Sequence, residues 1–247
     1  MSSSLRKFSL FALGQYSAYA FFLFLPFQID ALVVSANVYF SGFFNPYLSH
    51  FIYLSDIFLL LSVLFFGFSY ARKREHVLWK GLRKGSNRVL LMVCVFVCSI
   101  FLSLLFSANV VNSLFYLGRV LEFFVLFLIL SSGFLDIKKF ARVFIGVVLL
   151  ISIIGIFQYI FQESLGLRFF GEPVLNSRVL GVAKVDVFSD KVLRIYGTFP
   201  HPNIFAAYIV FALFMSFEFL KGRIFRTAVV GILCLALVLT FSRSALL

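Results

Sequence analysis

Charge is scarce in this chain. Only 13% of the 247 residues are Asp, Glu, Lys or Arg, about half the share of a typical soluble domain. That scarcity excludes an ordinary water-facing surface. Acidic residues are the rarer kind, ten against 22 basic ones, which leaves a formal net charge of +12. Cysteine occurs three times, at Cys94, Cys98 and Cys234, each within an apolar run. Three such positions give no disulfide framework. Cys94 and Cys98 share a helix face at i, i+4 spacing, but no His or acid adjoins them, so they read as small buried hydrophobes rather than metal ligands. No metal site and no cofactor is expected. No nucleic-acid-binding motif accompanies the basic residues, so the positive charge is not read as a nucleic-acid footprint.

Apolar side chains are what the sequence has in excess. They make up 62% of it, 37 of them are Phe, and the mean hydropathy is +1.05. A helix needs about 20 apolar residues to cross the hydrocarbon core of a bilayer. Seven runs approach that length, near 8–29, 51–70, 89–107, 113–132, 143–161, 201–220 and 227–247. The expected fold is all-α: one polytopic transmembrane helix bundle over residues 1–247. The first run is too long for a signal peptide, and no small-residue cleavage site follows it.

Basic residues orient the bundle. Arg6 and Lys7, seven residues in 72–88, three in 138–142 and three in 221–226 make up 15 of the 22, while 30–50 and 108–112 hold none. Lys and Arg favour cytoplasmic loops. The N-terminus is therefore expected inside, and 30–50, 108–112 and 163–199 outside. The loop 163–199 departs from the rule with Arg168, Arg178, Lys184, Lys191 and Arg194. It is too long for a plain connector and suits a cap or binding element. Within it, Val182 to Ile195 alternates apolar and polar residues about Ser189-Asp190, which reads as a short β-hairpin.

Polar residues inside the apolar runs lie mostly toward the outer side. Asp56 falls early in the second span. Arg119 and Glu122 lie roughly 9 and 14 Å into the fourth at 1.5 Å per residue. Gln158, His201, Asn203, Ser242 and Arg243 sit near outer ends, and Glu218 is the exception. Intramembrane charges usually face a bundle interior or a wet cavity, so a cavity open to the outside is expected. The plainer reading of Arg119 and Glu122 is an i, i+3 ion pair that locks one helix.

The densest constellation is Arg194-Ile195-Tyr196-Gly197-Thr198-Phe199-Pro200-His201-Pro202-Asn203. Pro200 or Pro202 suits a first helical turn, and Thr198 suits a cap. The sixth helix then turns its positive dipole end and free N–H groups outward. Arg194 precedes it and Arg243 arrives from the next helix. Two arginines beside a helix N-terminus suit a phosphate or pyrophosphate. The plainer alternative is that His201 and Asn203 only cap the helix and Arg194 meets lipid headgroups.

These residues also carry a resemblance. Gly197-Thr198-Phe199-Pro200-His201-Pro202-Asn203 with Ala206-Ala207, followed about 40 residues later by Thr240-Phe241-Ser242-Arg243-Ser244-Ala245, resembles the O-antigen ligase and polymerase family. Leu193-Arg194-Ile195-Tyr196 fits it too, and Tyr53-Leu54-Ser55-Asp56 more weakly. The resemblance implies a glycosyltransferase on the outer face of the cytoplasmic membrane. It would move a glycan from an undecaprenyl-pyrophosphate carrier to a lipid or glycan acceptor, with no nucleotide sugar or metal. It implies Arg194 and Arg243 as diphosphate contacts, and His201 and Asn203 as residues shaping the helix entrance. Arg119 and Glu122 complete the expected substrate-binding set. Members of the family have ten or more spans and a large later loop that supplies a catalytic His and further Arg. The chain is accordingly expected to be the N-terminal part of a longer protein, which the codons beyond 247 test. Two other readings stand beside the enzyme: a transporter or flippase of lipid-linked glycans, and a structural membrane subunit.

Overall fold

Apolar segments of this length become helices because a helix pairs its own backbone N–H and C=O groups where no water is available. The computed structural model describes every residue except 1–8, 35–38, 41–42, 45–49, 74–86, 177–178, 180, 188–189 and 247. Among the described residues are eight α-helices: α1 (Leu10–Phe24), α2 (Leu54–Lys73), α3 (Asn87–Ser103), α4 (Val110–Ser131), α5 (Ile137–Phe161), α6 (Pro202–Phe219), α7 (Arg223–Leu239) and α8 (Arg243–Leu246). The first seven occupy the seven apolar runs. Five of these, α2 to α6, are long and apolar enough to cross a membrane. None of α3's described side chains is buried; Leu91, Met92, Val95 and Phe96 are exposed. Apolar area in water is unfavourable by about 25 cal/mol per Å², and a hydrocarbon surround removes that penalty.

Helices α1 and α7 are shorter than their apolar runs. Helix α1 has 15 residues, about 22 Å. It stops before Pro26, which has no N–H to extend the ladder. The seventh run was expected to continue unbroken to Leu247. Instead α7 ends at Leu239, and Phe241 takes a left-handed backbone at φ +47 before α8 begins. Helix α4 begins three residues earlier than expected, because the Asn109 side chain caps it by accepting from the Asn112 N–H at 3.1 Å. Helix α5 begins six residues early and takes Lys138, Lys139 and Arg142 into its first turns. The cysteines are free as expected but not buried: Cys98 and Cys234 are exposed and Cys94 half-exposed. The basic residues Arg6, Lys7, Arg74, Lys80, Arg83, Lys84 and Arg178, with Asn45-Pro46 and Ser189, lie outside the described residues.

The strands are few and short: β1 (Asp30–Val34), β2 (Tyr39–Phe40), β3 (Phe43–Phe44), β4 (His50–Tyr53), β5 (Lys184–Val187) and β6 (Asp190–Leu193). Strands β5 and β6 form the hairpin expected in 163–199, with Lys184 opposite Leu193 and Val187 opposite Asp190.

The chain divides into two compact units. One comprises Met1–Phe21 and Ala31–Asp136, the other Phe22–Asp30 and Ile137–Leu247. In the first, Ser62 Oγ donates to the Gly14 carbonyl at 3.0 Å and ties α2 to α1. In the second, α5, α6 and α7 pack on one another around Ile151, Ile195, Phe199, Phe205 and Leu233, all buried. Gly155 permits this, since a Cβ there would come within 3.1 Å of both Ile195 and Phe205.

Candidate functional site

In the second unit, Arg194, Asn203, Thr240 and Arg243 come together where the sixth helix starts and the seventh ends. His201 caps α6: its backbone is extended and its Nδ1 accepts from the Asn203 N–H at 3.2 Å. Pro202 fills the first helical position. Thr198 is not the cap; its hydroxyl donates to the Pro26 carbonyl at 2.8 Å and is fully buried. The first helical N–H groups are also less free than expected, because the His201 carbonyl accepts from both Ile204 and Phe205. The positive end of the dipole remains, but little directed N–H donation does.

Cations carry the site instead. Arg194 Nε donates to the Thr240 carbonyl at 2.6 Å, and its Nη2 donates to Asn203 Oδ1 at 2.6 Å. The Ile195 N–H reaches the Leu239 carbonyl at 3.2 Å. Arg194 thus stands on the negative C-terminal end of α7, where a cation is favoured. Burial holds its guanidinium below the ordinary arginine value; the Tyr196 hydroxyl raises it, and the charge of Arg243 lowers it. It remains cationic, as arginines do in proteins. Arg243 opens α8 with its side chain exposed. Among the described residues it has no hydrogen-bond or ion-pair partner. Thr240 and Ser242 are buried on either side of the Phe241 corner, and the Ser242 N–H donates to Thr240 Oγ1 at 3.3 Å. A left-handed backbone is costly for a bulky residue, and here it turns the chain into α8, which packs on α6 and brings the charge of Arg243 within reach of Arg194. Two guanidiniums without a carboxylate partner, next to a helix N-terminus, can take a polyanion.

This corner is held from below by a buried amide that the sequence placed near a helix end without a partner. Gln158 Nε2 donates to the Gly197 carbonyl and to Glu172 Oε1, both at 2.8 Å. Its Oε1 accepts from the N–H groups of Gly197 at 2.8 Å and Tyr196 at 3.2 Å. Glu172, also buried, accepts from the Leu165 and Leu167 N–H groups at 2.7 and 2.6 Å. Glu172 was missed in the sequence; no local pattern marks a carboxylate that folds back on its own loop.

Gly197 shows why the motif needs glycine. Its φ is +59, and a Cβ there would run into Ile151 Cγ2. Gly197→Ala is expected to destabilise by about 2–4 kcal/mol, from left-handed strain plus overpacking. Thermal unfolding in detergent reads this; an unchanged midpoint would show that the corner relaxes freely.

Arg119 and Glu122 lie in the other unit and form the expected i, i+3 pair, at 2.8 Å. The arginine does more than pair along its helix. Its Nη1 also meets Asp56 Oδ2 at 2.6 Å, and its Nη2 donates to the Phe51 carbonyl. Its Cζ lies 5.2 Å from the ring centres of both Tyr53 and Phe115. Asp56 in turn accepts from the Tyr53 N–H at 2.8 Å, the reach-back bond of a helix N-terminus. Because α4 starts early, Arg119 and Glu122 fall about 14 and 18 Å from its beginning, on either side of its middle, where about 9 and 14 Å were expected. An open apolar groove of about 780 Å³ runs beside the three charges, lined by Ile57, Leu60 and Leu114 among others. Among the described residues no cluster of His, Cys, Asp and Glu suits a metal ion.

Comparison with protein-family models, with curated proteins and with solved structures finds no match to this chain.

Proposed function

We propose that the protein is embedded in the bacterial cytoplasmic membrane with its N-terminus inside, and that the Arg194–Arg243 corner binds the pyrophosphate of an undecaprenyl-linked glycan on the outer face. The reaction would resemble that of O-antigen ligases and polymerases: an acceptor hydroxyl attacks the first sugar carbon, its bond to the phosphate oxygen breaks, and the carrier pyrophosphate leaves and takes up the proton that the hydroxyl gives up. Charge grows on that leaving oxygen, and a guanidinium aimed at it lowers the barrier. The observation that carries the reading is Arg243: exposed, cationic and without a described partner, beside an arginine already fixed by Thr240 and Asn203. Arg194 would shape the site and contribute its remaining N–H groups. Asn203 and His201 would hold the helix start in place.

Membranes carrying the protein, given carrier-linked glycan and acceptor, test this. Arg243→Ala is expected to reduce transfer about 10- to 100-fold, the size of a lost charge-assisted contact, while expression is unchanged. Arg243→Lys should recover part of the loss, since charge returns but the two-pronged geometry does not. Equal transfer by wild type and Arg243→Ala would refute the assigned role.

One observation favours the second reading, a transporter or flippase of lipid-linked glycans. The Asp56–Arg119–Glu122 cluster joins the first turn of α2 to the middle of α4, and ionisable groups within apolar helices mark ion or substrate pathways. Movement of a lipid-linked glycan across reconstituted vesicles in the absence of acceptor would support it.

A further inference from the structure

We propose that the lobe formed by residues 164–172 is a membrane-interface anchor, with Phe169 and Phe170 seated in the acyl-chain boundary and Arg168 on lipid phosphates. The proposal rests on the reading of the chain as membrane-embedded. Phe169 is 78% exposed and Phe170 42%, on a short 3-10 turn, Arg168–Phe170, in the loop that follows the end of α5 at Phe161. The outer turns of α5 already expose Ile160 and Phe161. The lobe and the end of the helix it follows thus both expose large apolar side chains, as the membrane reading expects of a surface that meets lipid. Large exposed aromatic rings in water are unfavourable, and a contiguous exposed apolar patch marks a contact surface.

The lobe is built to hold its shape. The Ser164 N–H closes its base on the Leu175 carbonyl at 3.0 Å. Glu172 gathers the Leu165 and Leu167 N–H groups from inside. Gly171, at φ +83, lies against the Gln28 backbone so closely that a Cβ would come within 2.6 Å of it. The Phe170 ring centre lies 5.8 Å from that of Phe27. Within 164–172, with Glu172 turned inward and buried, the exposed charge is that of Arg168; Glu163, also exposed, precedes the base of the lobe. A cation flanked by exposed aromatics matches a phosphate-bearing lipid surface in charge and polarity. This also accounts for one of the basic residues that broke the charge rule in the loop.

Tryptophan fluorescence tests the anchor. Trp79 is the one native tryptophan, so the probes are Phe169→Trp and, as a control on the exposed side of α5, Phe157→Trp, each in a Trp79→Phe background. The protein is reconstituted in vesicles whose lipids are brominated either high on the acyl chain or near its end. The Phe169→Trp emission is expected to shift to the blue and to be quenched more strongly by the high-brominated lipid. Quenching of Phe157→Trp with none of Phe169→Trp would leave the membrane reading standing and overturn the anchor, placing the lobe in water or against a protein partner. Absence of quenching at both positions would overturn both.

Discussion

Arg119→Leu is expected to remove about 1–3 kcal/mol of stability, since the charge cluster is part-buried and its loss falls between that of an exposed pair and that of a buried one. The guanidinium neutralises Asp56 at 2.6 Å and Glu122 at 2.8 Å and donates to the Phe51 carbonyl. Its loss leaves two carboxylates facing one another beside an apolar groove, and leaves the extended strand β4 with a carbonyl that the arginine had satisfied. Irregular backbone and uncompensated charge are both poorly tolerated away from water. The leucine itself fits the apolar surroundings, so repulsion and unpaired polar groups dominate over packing. Adding Asp56→Asn and Glu122→Gln to Arg119→Leu should therefore recover part of the stability. Thermal unfolding in detergent compares the three proteins; a single mutant as stable as wild type would show that the cluster is not structural.

Gln158→Leu is expected to be more severe, in the second unit. The side chain is 2% exposed and makes four hydrogen bonds. Leucine is near in size, so little cavity forms. What remains is three backbone groups, the Tyr196 N–H and the Gly197 N–H and C=O, buried without these partners. At about 1–3 kcal/mol for each unsatisfied group, the loss is on the order of 3–9 kcal/mol, a large fraction of ordinary domain stability. The effect reaches the site, because Tyr196 and Gly197 lead into the His201 cap and follow Arg194. Limited proteolysis of the loop 163–199 reads it directly: faster cleavage in Gln158→Leu is expected. Unchanged cleavage would mean that the loop is held by its own packing around Leu175 and Leu193.

Much of this architecture was legible in the sequence because hydropathy reports helix position directly. The β5–β6 hairpin was legible for a similar reason, since Val185 and Val192 alternate with Lys184, Asp186 and Lys191. Helix ends were less so. The end of α7 depends on a left-handed Phe241, which no composition rule anticipates. The start of α4 depends on the Asn109 cap, and those few residues move Arg119 from the first third toward the middle of the helix. Long-range partners were the least legible. Arg119 finds Asp56 63 positions away, and Arg194 finds Thr240 46 positions away. Local spacing suggested Arg119–Glu122 and the His201 cap correctly, yet assigned Thr198 to a helix end when its hydroxyl bonds to Pro26. The candidate anion site was read from residue types. Its emphasis on Arg243, with Arg194 engaged by Thr240 and Asn203, comes from geometry.

The most direct measurement is binding of a polyprenyl pyrophosphate to the purified protein in lipid nanodiscs, wild type against Arg243→Ala and Arg194→Ala, at two salt concentrations. The expected result is weaker binding by about tenfold or more in Arg243→Ala, the size of a lost charge-assisted hydrogen bond, with affinity falling as salt rises in wild type. Arg194→Ala should weaken binding and also lower the unfolding temperature, because that arginine ties α7 to α6. Equal affinity for wild type and Arg243→Ala, independent of salt, would contradict the assignment of this corner as an anion site.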